Sequence, residues 1–163
     1  MIPPDENASW RSHLLERNSE IRRVVLESHR IAVLGIKLPH SFQPAYYVPQ
    51  YMQHAGFEII PVPVYYPDAR EILGVPVVRS LAEIEGVIDI VNVFRRPSDL
   101  LPHLEDILAA RPRTVWLQSG IRHSGFAETL ARQGIDVVQD RCIMVEHQLA
   151  APQEGSRRMD RTR

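Results

Sequence analysis

The 163-residue chain has one cysteine, Cys142. A single thiol excludes an intramolecular disulfide and any all-cysteine metal site. Long apolar runs are also missing, since nothing approaches the roughly 20 residues that cross a bilayer. Met1 to Trp10 lacks the charged-then-apolar order of a secretory signal. The formal net charge is -1, so no global field draws the chain toward nucleic acid or a membrane surface. The histidines (13, 29, 40, 54, 103, 123 and 147) show no paired ligand spacing, and no metal is expected. A cytoplasmic setting is the expectation, with neither nucleic acid nor membrane as a partner. What is present is ordinary for one globular domain: 44% hydrophobic and 24% charged residues, in a length that can bury a sizeable core.

The organising stretch runs from Arg30 to Met52. Ile31 to Leu34 is a short branched apolar run that reads as a strand buried on both faces. Gly35 stops it. After a turn containing Pro39 and Pro44, a helix begins near Ala45, with Tyr47, Val48, Tyr51 and Met52 on its inner face and Gly56 at its end. Strand, glycine turn and helix form the opening unit of a nucleotide-binding α/β sheet.

Further βα units follow. A helix is expected over Ser19 to Ser28, capped by Ser19. Phe57 to Val64 is a strand whose two prolines argue against ladder pairing on both sides. Ala69 to Leu73 reads as one helical turn, and Val75 to Val78 as a short strand at the sheet edge. Ser80 caps a short helix, Leu81 to Ile84, with Glu83 completing a capping box. Ile88 to Phe94 is a strand, followed by a helix capped by Ser98, on which Glu105 and Asp106 read as a solvated face. Thr114 to Leu117 is a strand, His123 to Gln133 a helix, Ile135 to Val138 the last strand, and Asp140 to Leu149 a short helix or coil. The expected fold is a single α/β domain, mainly parallel, with helices on both faces of the sheet. Residues 1–18 form an N-terminal extension that packs loosely or meets another subunit. Residues 19–150 form the domain, and 151–163 a disordered tail.

Ligands in such sheets bind beyond the carboxyl ends of the strands. The loop after the first strand offers Gly35, Lys37, His40 and Ser41 before the helix N-terminus at Ala45, a possible phosphate cradle. An ordinary βα turn, with Gly35 serving close packing, is the equal alternative. The dinucleotide fingerprint Gly-x-Gly-x-x-Gly is missing, and Tyr65 and Tyr66 stand where a ribose-reading acid would be. Arg95 and Arg96 follow Phe94 directly. Two guanidiniums at a strand end can grip a phosphate or stack on an adenine, although one of them is expected to turn into a salt bridge such as one with Asp99. Gln118-Ser119-Gly120 closes a second loop over the same edge, and there the glycine lets backbone come close to a ligand. Cys142, Glu146 and His147 could suggest a nucleophile and base, but a free cysteine reads first as a small buried hydrophobe.

Several of these segments, in order, resemble a known family. They are Ile31 to Gly35, Gly56 to Pro63, Glu71 to Gly74, Asp-Ile-Val-Asn-Val-Phe-Arg-Arg-Pro at 89–97, Val-Trp-Leu-Gln-Ser-Gly at 115–120, and Asp-Arg-Cys-Ile-Met-Val-Glu-His at 140–147. The family is that of small stand-alone CoA-binding proteins, similar to the N-terminal CoA-binding domain of the succinyl-CoA synthetase α subunit. The resemblance covers Ser19 to Ala150. It implies a Rossmann-like domain that takes coenzyme A or an acyl-CoA. Gly35, Ile36 and Lys37 would meet the pyrophosphate, Phe94, Arg95 and Arg96 would lie near the adenosine, and Gln118, Ser119 and Gly120 would line the pantetheine path. Three places depart from the family pattern: Lys37 for a small hydroxyl residue, Phe42 and Gln43 where an arginine is common, and Tyr65-Tyr66 after the second strand. The synthetases' phosphohistidine lies in a further domain, so the resemblance implies binding without catalytic residues. An NAD(P)-dependent oxidoreductase, and a regulatory protein with a vestigial site and a homodimeric or other protein partner, are the alternatives.

Overall fold

The computed structural model describes residues 6–151. Met1 to Asp5 and most of the expected tail, residues 152–163, lie outside the described residues. Five parallel strands form the sheet: β1 (Arg30–Leu34), β2 (Glu58–Val62), β5 (Ile90–Val93), β6 (Thr114–Leu117) and β7 (Asp136–Val138), in the order β2-β1-β5-β6-β7. Two-residue strands β3 (Glu71–Ile72) and β4 (Val75–Pro76) pair separately. The helices are α1 (Asn18–Glu27), α2 (Pro44–His54), α3 (Leu104–Ala110), α4 (Ser124–Arg132) and α5 (Ile143–Ala150). This is the expected single-domain, Rossmann-like α/β fold.

Alternation along the strands divides the core in two. Ile31 and Val33 point to one face with Ile59, Ile90, Trp116 and Val138, under Ile21 and Val25 of α1, Val48 and Met52 of α2, and Ile143 of α5. Ala32 and Leu34 point to the other, with Val91, Val93, Val115 and Leu117, under Ile107 of α3 and Phe126 and Leu130 of α4. Burial on both faces is what the continuous apolar strands require.

Several local expectations are corrected. The segment read as a helical turn, Ala69 to Leu73, instead supplies β3, and Val75 pairs back on Ile72. The central residues of that turn, Leu73 and Gly74, both have positive φ (55° and 72°), the condition for a tight hairpin turn of type I′. A leucine in this conformation is rare, and it is held by Gln53 Nε2 donating to its carbonyl at 3.0 Å. Val75 to Val78 therefore does not extend the main sheet as a strand. Val78 N–H alone reaches β2, donating to the Pro61 carbonyl at 2.9 Å. β2 is an edge strand, which is where a proline is tolerated.

Expected caps also move. Ser19 lies inside α1, and Ser98 lies inside a short 3-10 turn, Pro97–Asp99. The Ser80–Glu83 capping box does not form. Asp106 reaches across from α3, accepting from Ser80 Oγ (2.6 Å), Leu81 N–H (2.7 Å) and Ala82 N–H (3.1 Å). It is therefore a structural cap and not a solvated charge. His123, read as the first helical residue, instead caps α4 through Nδ1, which accepts from Phe126 N–H at 3.0 Å.

From Glu6 onward the N-terminal segment is not loose. A 3-10 helix, Glu6–His13, leads to Leu14, which bridges Val137 in parallel, and Leu15 N–H donates to the Val137 carbonyl at 2.9 Å. His13 Nδ1 lies 2.7 Å from Asp136 Oδ1. Trp10 carries the guanidiniums of Arg11 and Arg132 over its ring, each 4.7 Å from the centroid.

Two predictions follow from these contacts. At Gly35, φ is +86° and a Cβ would run into the Phe94 carbonyl oxygen. Gly35→Ala should lower stability by about 2 kcal/mol or more through strain and overpacking, read as a drop in urea midpoint; an unchanged midpoint would contradict this contact. Burial opposes the charge on Asp106, but the Ser80 hydroxyl and the Leu81 and Ala82 N–H groups outweigh it and hold its carboxyl below the ordinary value. A depressed folded pKa adds stability above the unfolded pKa, and that gain is lost as pH falls through the folded one. Asp106→Ala should destabilise by about 1 kcal/mol near neutrality and by less in acid, in paired denaturation curves at the two pH values.

Candidate functional site

The chain crosses from one side of the sheet to the other between β1 and β5. A parallel sheet opens a crevice at such a switch point, at the carboxyl ends of its strands. A groove of about 470 Å³ lies there, within the range of small-molecule sites. Its wall comes from four strand ends: Lys37 and Gln43 with Pro44, Ala45, Tyr47 and Val48 of α2 after β1, Phe94 to Pro97 after β5, Gln118 to Ile121 after β6, and Cys142 after β7.

Eight of the twelve residues singled out in the sequence line this groove: Lys37, Ala45, Phe94, Arg95, Arg96, Gln118, Ser119 and Gly120. Four do not. Gly35 has its N–H bonded to the Val62 carbonyl at 2.9 Å and its Cα against Phe94, so it serves packing and not a phosphate. Ile36 is 1% exposed and belongs to the core under α2. His40 and Ser41 sit in a short 3-10 turn, Pro39–Ser41, away from the wall. Pro97, Ile121 and Cys142 also line the wall; they lie in the strand-end loops from which a site is expected, though none was singled out as a ligand contact. Tyr47 was expected on the inner face of α2, yet it is 44% exposed and faces the groove. Its place one turn into a helix that opens over a strand end was the available signal.

α2 is built to hold the first loop. Pro49 lies inside it and has no N–H for the Ala45 carbonyl four residues earlier. That carbonyl instead accepts Lys37 N–H at 3.1 Å. Lys37 Nζ donates to Gln43 Oε1. At the start of the helix Pro44 has no N–H, and the Ala45 N–H has no acceptor among the described residues, an arrangement suited to an anion.

Arg95 is held and Arg96 is free to solvent: their side chains are 15% and 82% exposed. Arg95 Nη1 donates to Tyr65 Oη at 3.3 Å, and its guanidinium stands 5.5 Å from the centre of the Tyr65 ring. Asp99 lies 3.9 Å from Arg95 and 3.4 Å from Arg96, so the expected salt bridge is shared by both. The Arg95 Nε is buried without a partner among the described residues. Its hydrogen bond and charge pull the Tyr65 phenol below its ordinary pKa. Burial first, and then the same charge, push His103 down. The wall holds three cations and no carboxylate.

The opposite end is neutral. Gln118 is 4% exposed. Gly120 N–H is taken by Asp140 Oδ1 at 2.6 Å, so it is closed to a ligand. Cys142 is half-buried on the wall. His147 does not serve it, since its Nδ1 is 2.8 Å from Tyr51 Oη, and burial pushes its pKa down. Glu146 is buried beside Arg141 (3.2 Å) and Arg22 (3.5 Å). The nucleophile-and-base alternative has no geometry behind it.

Asp140 sets the shape of the second loop. The Gly120 N–H holds its carboxyl below the ordinary value; burial opposes this, and Arg122 and Arg141 add to the lowering. The Gly120 amide-proton shift, followed by NMR as the pH falls, should therefore change at a midpoint below the ordinary aspartate range. Asp140→Asn, which tolerates the left-handed φ of 57°, should abolish that transition; persistence would assign the shift to another group.

Comparison with known proteins agrees with this architecture. Uncharacterized protein YneT of Bacillus subtilis is 40% identical over 129 residues, covering 79% of this chain and 93% of its own. A solved Thermus thermophilus structure is 43% identical with a TM-score of 0.76, covering 83% of this chain and 100% of its own. A hypothetical protein of Pyrococcus horikoshii OT3, at 24% identity and a TM-score of 0.75, covers 83% of this chain and 92% of its own, and shares the fold. The model of the CoA binding domain matches residues 29–148, and the chain belongs to that CoA-binding domain family.

Proposed function

We propose that the protein binds coenzyme A or an acyl-CoA in the groove at the strand ends, without catalytic residues of its own. The observation that carries this reading is the division of one groove into two chemistries. By the strand order, the loops after β1 and β5 bring Lys37, Arg95 and Arg96 to one side, and the loops after β6 and β7 bring the neutral Gln118, Ile121 and Cys142 to the other. CoA is likewise divided, with phosphates on an adenosine at one end and a long uncharged arm ending in a thiol at the other. The Tyr65 ring and the Arg95 guanidinium offer a stacking surface near the phosphates. Family membership supports the same ligand. Among the described residues the groove wall contains neither carboxylate nor imidazole, which favours binding over acid–base chemistry. In this reading residues 19–150 are the binding unit.

Calorimetric titration with CoA tests it. Saturable binding should weaken about 10- to 100-fold in Arg95→Ala, since a held guanidinium on a phosphate is a strong, charged hydrogen bond. Arg96→Ala should cost only a few-fold and mainly at low salt, because its side chain is exposed. If the wild type binds no CoA the ligand assignment fails; if Arg95→Ala binds like wild type the phosphate end lies elsewhere.

A further inference from the structure

Asn92 is a polar residue in the middle of a buried parallel strand, 1% exposed. Its Nδ2 donates to Gln118 Oε1 at 3.2 Å. The Ile143 N–H donates to the same oxygen at 3.1 Å. A backbone N–H can only donate, so the oxygen of the Gln118 amide must face Ile143, which fixes which way the amide is turned. Both lone pairs of that oxygen are then used. The amide NH2 is left with no acceptor among the described residues, on a side chain that is 4% exposed and lies in the groove wall.

A buried polar atom without a partner is costly, and Asn92 Oδ1 is one. The Gln118 NH2 is not sealed in this way: it has no protein acceptor among the described residues, yet it keeps an opening to the groove. The two amides are thereby set in a single orientation that leaves one NH2 facing the ligand space. The acceptor it suits is neutral. The cations of the wall are engaged elsewhere, Lys37 with Gln43, Arg95 with Tyr65 and Asp99, and Arg96 with Asp99, and the nearby Gly120 N–H is occupied by Asp140. A phosphate placed here would meet too few donors, whereas a carbonyl oxygen needs only one or two.

We infer that Gln118 is a specificity-determining residue that donates to an amide or thioester carbonyl of the ligand's uncharged arm, and that Asn92 is its positioning residue. The inference rests on the CoA reading and adds to it which group of the ligand is read, and by what. It makes the ratio of two affinities the observable. Adenosine 3′,5′-bisphosphate carries the adenosine and phosphates of CoA but no arm.

The experiment measures the dissociation constants of CoA and adenosine 3′,5′-bisphosphate for wild type, Gln118→Glu and Asn92→Leu. Gln118→Glu keeps an oxygen toward Ile143 and Asn92 and replaces only the donor. CoA should bind it about ten-fold more weakly or worse, with adenosine 3′,5′-bisphosphate unchanged. Asn92→Leu should lose CoA affinity selectively in the same way, an outcome that general loosening of the fold would not give. In case the variants fail to fold, the wild type is read directly: the Gln118 side-chain amide resonances should shift on saturation with CoA and stay in place with adenosine 3′,5′-bisphosphate. An unchanged ratio in folded variants, or an unmoved Gln118 amide under saturating CoA, overturns the inference while leaving CoA binding intact. A wild type that binds neither compound removes the CoA reading and this inference together.

Discussion

The close approach of two strand exits controls the site. β1 and β5 run side by side, and the hydrogen bonding continues past their ends, with Phe94 N–H donating to the Leu34 carbonyl at 2.9 Å. The next residue after β1 must then pass over the Phe94 carbonyl, where no side chain fits, and Gly35 does so with φ of +86°. This contact keeps the crevice at the switch point narrow and directs Phe94, Arg95 and Arg96 into it. The glycine thus acts on the ligand through geometry, by bringing the loop after β5 alongside the loop after β1.

The polar groups of the groove share one logic: each is oriented by a protein partner before any ligand arrives. Pro49 frees the carbonyl that holds Lys37. Tyr65 and Asp99 restrain Arg95. Asp140 fixes the loop at Gly120. Ordering these groups during folding removes an entropic cost that binding would otherwise bear. Arg96, at 82% exposure with Asp99 3.4 Å away, is the least restrained, and it lies where a rim charge adds steering more than affinity.

The layers of the fold were legible in the sequence because each rests on a strong local signal. Branched apolar runs marked the central strands, and glycine marked their exits and the helix ends. Legibility failed where a partner distant in sequence decides the outcome. The Ser80–Glu83 spacing satisfied a capping box, but Asp106 from another helix took the donors. Ala69 to Leu73 suggested a helical turn, but a hairpin forms there through a leucine with positive φ that Gln53 supports. In the site, the loop after β1 read equally as a phosphate cradle or as a plain turn with Gly35 in close packing; Gly35 and Ile36 turn inward, and Tyr47, one turn into α2, faces the groove. Residue types near a strand end say that a site is possible. Which of them face it depends on packing that local pattern does not contain.

The edges of the sheet are held as well. An open parallel sheet exposes unpaired backbone on its two outer strands, and that exposure invites slippage or association. Here both outer strands are engaged by segments with no part in the groove. Val78 donates to Pro61 on β2, and Leu14 and Leu15 pair with Val137 on β7, where His13 also meets Asp136. The N-terminal extension therefore contributes to the platform as an edge cover. With both edges covered and both faces buried, the strands are fixed relative to one another, and so are the loops that leave their carboxyl ends. A groove shared by four loops can keep its shape only on a sheet held in this way, and the extension before α1 is one of the elements that holds it.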